Sequence, residues 1–167
     1  MLLHPEIQRS AQAEIDEVLG SQCLPKLADR RRLPYIDALI KEILRWGTVS
    51  PMALPHSTAV DDEVFGYRIP KGCVVISNIW AMLHDSTVYP DPFKFDPMRF
   101  IGEKQQPDPR ELAFGRGRRM CPGQHIAEAS VFIQVASVLA TFDIQREKDG
   151  RYPMAEAEVE FTTAIVR

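Results

Sequence analysis

Residues 114–124 read FGRGRRMCPGQ, and this short run concentrates the reactive side chains of the sequence. One cysteine, Cys121, stands beside Arg118 and Arg119 and between Gly117 and Gly123. Pro122 is expected to open a helix, because its missing N–H costs nothing at the first helical position. A helix N-terminus and neighbouring guanidinium groups both favour thiolate over thiol. Gly115, Gly117 and Gly123 permit tight turns and close backbone approach to a partner. The run could therefore present a stabilised thiolate to something flat and anionic. Other readings compete on the residues alone. Cys121 could be a buried small hydrophobe, the commonest fate of cysteine. It could be a nucleophile with His125 one turn on, but no third member is apparent. GRGRR could be a nucleic-acid patch, yet no aromatics are interleaved with it. The three glycines do not form a Walker A loop, since Lys-Ser/Thr is absent.

Two further charged groups draw attention. Glu42 and Arg45, in KEILR, fall together on a helical wheel, opposite the apolar stripe Ile36, Leu39, Ile40, Ile43 and Leu44. Such an i,i+3 pair is ordinarily a solvated surface bridge. Arg99 lies between Met98 and Phe100 in YPDPFKFDPMRF. An arginine held near an apolar surface needs a carboxylate partner, and Glu42 is a candidate.

The elements that must position these groups are mostly helical. Pro5 to Leu19 reads as an amphipathic helix stopped by Gly20, with Ile7, Ala11, Ile15, Val18 and Leu19 on one face. LPKLADRRRLP is a polar connection, and Pro34 opens a second helix. From Thr48 to Ser77 the pattern changes to short strands and turns, including CVVIS. Asn78 is placed to cap a short helix, IWAML. Tyr89 to Pro109 contains five prolines and reads as an ordered irregular segment, with Phe93, Phe95 and Phe100 as its apolar anchors. Ile126 to Phe142 is apolar nearly all round, so a buried helix is expected there. Short strands are expected around an Asp149-Gly150 turn near the end. There is no βαβ alternation and no internal repeat.

Composition narrows the class. The chain has 167 residues and 45% hydrophobic content, enough for one globular domain with a core. A net charge of −3 gives no general attraction to nucleic acid or acidic lipid. Cys23, Cys73 and Cys121 are far apart with no C-x-x-C, which argues against zinc, an iron–sulfur cluster or a disulfide framework. The start, MLLHPEIQRS, is neither signal peptide nor anchor, and no apolar run is long enough to span a bilayer. Both ends read as abrupt, and a partial chain is expected.

The Cys121 run resembles the haem-binding signature of the cytochrome P-450 haem-thiolate monooxygenases, F-x-x-G-x-R-x-C-x-G-x-x-x-A. The sequence matches it at Phe114, Gly117, Arg119, Cys121, Gly123 and Ala127. Glu42 and Arg45 match the family's E-x-x-R. DPMRF resembles its P-E-R-F element, with Arg99 as the arginine and Met98 where glutamate is common. The three occur in family order at family-like spacing, and the resemblance covers nearly the whole chain.

The resemblance implies a fold that is mainly α with small β-sheets: the C-terminal portion of the P-450 fold, including the Cys-loop and the buried helix after it, as one partial domain over residues 1–167. It implies haem b, with iron ligated by Cys121. Arg119 would pair with a haem propionate, as would His56 in LPHS, and Phe114 would pack on the thiolate side. Glu42, Arg45 and Arg99 would form a structural charge triad. The family activity is insertion of one oxygen atom from O₂ into a substrate, here a small lipophilic one, with electrons from an NADPH-dependent reductase. The parent would lie on the cytoplasmic face of the endoplasmic reticulum membrane. The family's central helix, with its acid–alcohol pair, has no counterpart in the sequence, so the chain would supply one wall of the haem cavity. The alternative is a non-enzymatic truncated product that keeps the motif; a nucleic-acid-binding module using GRGRR ranks below both.

Overall fold

A computed structural model describes residues 1–145. The strands expected around Asp149-Gly150 lie outside the described residues. Three helices form the main layer: α1 (Pro5–Leu19), α2 (Pro34–Trp46) and α5 (Gln124–Thr141). Their shared core comprises Ile7, Ala11 and Ile15 from α1, Ile36, Leu39 and Ile40 from α2, and Phe132, Ala136 and Leu139 from α5. Leu33, just ahead of α2, is also fully buried there. At roughly 1.5–3 kcal/mol for each large apolar side chain, this burial is the main force holding the three helices together.

α1 has the limits that Pro5 and Gly20 signal, and Gly20 stands at φ +80°, a conformation that suits glycine. The start of α2 needs help from outside. Leu33 at its N-cap has no side-chain oxygen, and Pro34 has no N–H to satisfy. The free N–H groups of Tyr35 and Ile36 are instead bound by the Glu14 carboxylate of α1, at 2.7 and 3.0 Å. A carboxylate here also meets the positive end of the helix dipole. The polar connection between the helices is a 3₁₀ turn, Leu27–Arg32, rather than a plain loop. Its Arg32 ties back to α1 by donating to the Val18 carbonyl at 2.7 Å.

Two small antiparallel sheets follow. β1 (His56–Ser57) pairs with β4 (Val74–Val75), and β2 (Asp62–Val64) pairs with β3 (Tyr67–Ile69). The β2–β3 loop is Phe65-Gly66, with φ +52° and +82°. Two positive φ values are what a two-residue hairpin loop demands to match strand twist. Asn78 Oδ1 accepts the Ala81 N–H at 3.0 Å and caps α3 (Ile79–Leu83), as expected.

A second core joins Ala38 of α2 to Ile79, Leu83, Tyr89 and Phe100. The proline-rich segment is irregular apart from a 3₁₀ turn at Pro97–Phe100. Tyr89 buries its ring and donates its hydroxyl to the Pro107 carbonyl at 3.1 Å, closing the segment on itself. Of the three phenylalanines expected to anchor it, Phe100 is buried and Phe95 packs at the edge of the main core. Phe93 is 70% exposed, with its ring near those of Trp80 and His84.

The helix after the Cys-loop departs from expectation. It starts at Gln124, with Pro122 and Gly123 in the turn before it, and among the described residues it is buried on one face. Ile126 is 73% exposed and Val138 41%. The reason is packing: among the described residues α1, α2 and the Leu27–Arg32 turn contact α5, and the residues it buries, Phe132, Ala136 and Leu139, lie on one face.

Candidate functional site

The Cys121 run forms a compact loop between α4 (Arg110–Ala113) and α5. Phe114 ends α4, and its carbonyl accepts the Cys121 N–H at 2.9 Å, closing the loop. Gly115 at φ +75° and Gly117 at φ +70° make the reversals, and a side chain at either would be strained. A 3₁₀ turn, Gly117–Arg119, then delivers Met120 and Cys121 to the surface. Gly123 is different. Its φ is −86°, so no backbone strain requires glycine there. An added Cβ would lie 3.8 Å from Cys121 Sγ, an ordinary van der Waals contact that places Gly123 directly beside the sulfur.

Cys121 is exposed rather than packed in a core. Arg116 is taken up by Glu111, at 3.2 Å to its carboxylate. Among the described residues neither Arg118 nor Arg119 makes an ion pair, and both are exposed. Exposed apolar surface from Met120 and Ile126 flanks the cysteine in sequence. An accessible sulfur, a glycine beside it and uncommitted guanidinium groups fit a flat ligand with an apolar body and carboxylate edges. A cleft of about 410 Å³ is lined by Arg110, Glu111, Gly115, Gly117, Met120 and Gln124, among others. His56 lies elsewhere, exposed on β1 opposite Val75. Among the described residues no hydrogen bond connects it to the loop.

The structure brings Glu42, Arg45 and Arg99 together. Arg45 grips Glu42 with two parallel bonds, Nε to Oε2 at 2.8 Å and Nη2 to Oε1 at 2.9 Å. Both side chains are fully buried, so the solvated-bridge reading of the helical wheel fails. α2 is covered on two sides, by the main core and by the proline-rich segment. Arg99 Nε approaches both Glu42 oxygens at 3.2 Å. The Asp96 backbone N–H adds a bond to Glu42 at 2.8 Å. The remaining guanidinium donors find acceptors: Leu83 O for Arg45, and Pro90 O, Lys94 O and Gln106 Oε1 for Arg99. Arg45 also sits 5.7 Å from the centre of the Tyr89 ring. One carboxylate thus organises two cations, a peptide N–H and the proline-rich segment. A buried charge set of this kind holds only when nearly every donor is satisfied. Glu42 and Arg45 are readable in sequence as a spaced pair, whereas Asp96 and Gln106 carry no signal of their role.

Sequence reasoning also missed a second charged cluster, in which Asp37, Arg110 and Glu128 meet across α2, α4 and α5. Asp37 and Lys41 are separated by one helical turn, a weak hint; the partners from α4 and α5 are not predictable from spacing.

Comparison with known proteins agrees with this architecture. The family profile described as Cytochrome P450 matches residues 1–166. Cytochrome P450 monooxygenase 208 of Postia placenta is 48% identical, covering 99% of this chain and 33% of its own length. Cytochrome P450 monooxygenase COX2 of Coprinopsis cinerea is 48% identical over 89% of this chain and 29% of its own. Cytochrome P450 monooxygenase claR of Ampulloclitocybe clavipes is 44% identical over 99% and 32%. The chain belongs to the cytochrome P450 family. It spans about a third of the length of the curated relatives it matches. Among the described residues no helix is long and apolar enough to cross a membrane, and no cluster of three or more His, Cys, Asp or Glu is placed to hold a metal ion.

Proposed function

We propose that this chain is the haem-holding portion of a P450 monooxygenase, with Cys121 as the thiolate ligand of haem b iron. The observation that carries the reading is the Cys-loop itself: an exposed sulfur on a turn locked by the Cys121 N–H to Phe114 O bond, with no side chain at Gly123 to cover it. Arg119 would bind one haem carboxylate, as guanidinium–carboxylate pairing is strong and directional. His56 would serve a second carboxylate from β1. Phe114 would shield the thiolate side from water, and the Glu42–Arg45–Arg99 cluster would hold the surrounding scaffold. When bound, a thiolate-ligated haem supplies O₂ activation, because the sulfur pushes electron density that favours O–O cleavage. The protein residues orient the ligand and keep its charges paired.

The activity of the whole protein would be insertion of one oxygen atom into a small lipophilic substrate, with electrons from an NADPH-dependent reductase on the cytoplasmic face of the endoplasmic reticulum. The relatives, named as monooxygenases of fungi, support that class. The test is spectroscopic. Reduced protein under CO should give the strongly red-shifted Soret band of thiolate ligation. Haem that binds without that band would overturn the ligand assignment, and absence of haem binding would favour a non-enzymatic product that merely retains the motif.

A further inference from the structure

Both ends of the Cys121 loop are tied to one carboxylate on α2. Upstream, Arg110 opens α4 and reaches Asp37 Oδ1 at 3.3 Å while clasping Asp108. α4 runs straight into Phe114, the residue that closes the loop on the Cys121 N–H. Downstream, Gln124 opens α5 and donates to Glu128 Oε1 at 2.8 Å. Glu128 Oε2 faces Arg30 at 3.2 Å and Arg110 at 3.6 Å. Arg30 returns to Asp37 through two donors, at 2.9 and 3.1 Å. Lys41 completes the set between Asp37 and Asp108, at 3.5 and 3.6 Å. Three cations balance three carboxylates.

The side chains range from 14% exposed, for Glu128 and Lys41, to 28% for Asp108. Water screens them less than it screens a surface pair, and coupled charges reinforce one another. Burial works against the charge on Asp108, yet hydrogen bonds from Arg110 and the nearby Lys41 outweigh it and hold the carboxyl below its usual range. The loop's own bonds, such as Cys121 N–H to Phe114 O, Met120 N–H to Gly117 O and Arg116 to Glu111, shape its turns but among the described residues do not reach α2, and Arg118 and Arg119 point no ion pair back into those residues. Fixing both ends of a short segment removes most of its freedom.

We infer that Arg110 and Glu128 are positioning residues for Cys121: their shared network clamps both ends of the Cys-loop to α2 and thereby fixes where the sulfur is presented. The inference rests on reading Cys121 as the haem ligand. The network shares no residue with the Glu42–Arg45–Arg99 cluster, which ties α2 to the Pro97–Phe100 turn.

Glu128→Gln and Arg110→Met remove one charge each at similar volume, and Arg110→Lys keeps the charge. Two readouts are taken on the protein as purified. Amide hydrogen exchange at Cys121 should speed up about tenfold in the charge-removing variants, while Ile40 in the α2 core stays protected. Arg110→Lys should recover most of the protection. The ferrous–CO spectrum of those same two variants should move from the thiolate band toward the thiol-ligated one, with folded far-UV signal retained. Unchanged exchange and an unchanged spectrum would overturn the inference. So would an equal rise at Cys121 and Ile40, which marks general loosening. Should wild-type protein lack the thiolate band, the haem reading fails, and the exchange measurement still decides whether the network holds the loop.

Discussion

The carboxylate of Glu42 lies 3.2 Å from Nε of Arg99, a residue 57 positions further along the chain. That contact joins α2 to the proline-rich segment through a charge no water reaches. Removing the carboxylate leaves two guanidinium groups in the interior without a counter-ion, a loss of roughly 3–5 kcal/mol. This is a large part of the stability of a domain this size. Glu42→Ala is expected to abolish stable folding or haem retention, read by urea unfolding and by haem content after purification. Ordinary expression with full haem would show that Glu42 is dispensable.

The Glu14 carboxylate satisfies the first free N–H groups of α2 from a neighbouring helix. It does the work of an N-cap that Leu33 cannot do. Glu14→Ala is expected to cost about 1 kcal/mol, within the ~0.5–2 kcal/mol range for lost caps. The midpoint of urea unfolding should fall with no change in slope. Replacement of Leu33 by a capping residue is not an equivalent repair, because Leu33 is fully buried in the main core.

These two cases mark what local sequence can and cannot show. α1 is legible to the residue because Pro5 and Gly20 punctuate both ends of a clear apolar stripe. The Asn78 cap is legible because capping is a matter of a few adjacent residues. The burial of Glu42 and Arg45 is not, because a helical wheel knows one helix and the segment that covers them arrives some fifty residues later. Glu14 gives no signal for the same reason: its partner is a different helix. For α5, an apolar surface shows what a helix could bury, not how many neighbours among the described residues reach it. The Cys-loop is legible as chemistry, whereas the charges clamping its ends belong to three separate helices, one turn and the end of the proline-rich segment.

His84 should make stability depend on pH. Its ring stacks on Trp80 at 4.6 Å between centroids and lies near Phe93, and Nδ1–H donates to the Trp80 carbonyl at 2.9 Å. Burial, with help from the nearby Arg45 charge, lowers its pKa below 6.5, against the Trp80 bond and Glu42. The folded state therefore prefers the neutral ring. The unfolded chain takes up a proton first, so the stabilisation is complete above 6.5 and is lost as pH falls below it toward the folded value. Thermal unfolding between about pH 7.5 and about pH 5.5 should show a fall that His84→Gln reduces. An identical pH slope in the variant would remove His84 from the account.

The three cysteines should separate cleanly by substitution. Cys121→Ser leaves the backbone N–H to Phe114 O bond intact, so the loop should still close. An alcohol does not ionise as a thiol does, so the red-shifted ferrous–CO band should disappear while the fold persists. Cys23 is exposed. Cys73 is half-buried beside β4, where its sulfur makes a long, weak contact of 3.8 Å with the Val74 carbonyl whose loss costs little. Changes at such positions usually stay within about 0.5 kcal/mol. Cys23→Ser and Cys73→Ser should therefore keep both the melting temperature and the CO spectrum of the parent. Loss of the band in either would mean that the thiolate was placed on the wrong cysteine. Retention of the band in Cys121→Ser would equally show that another residue ligates the iron.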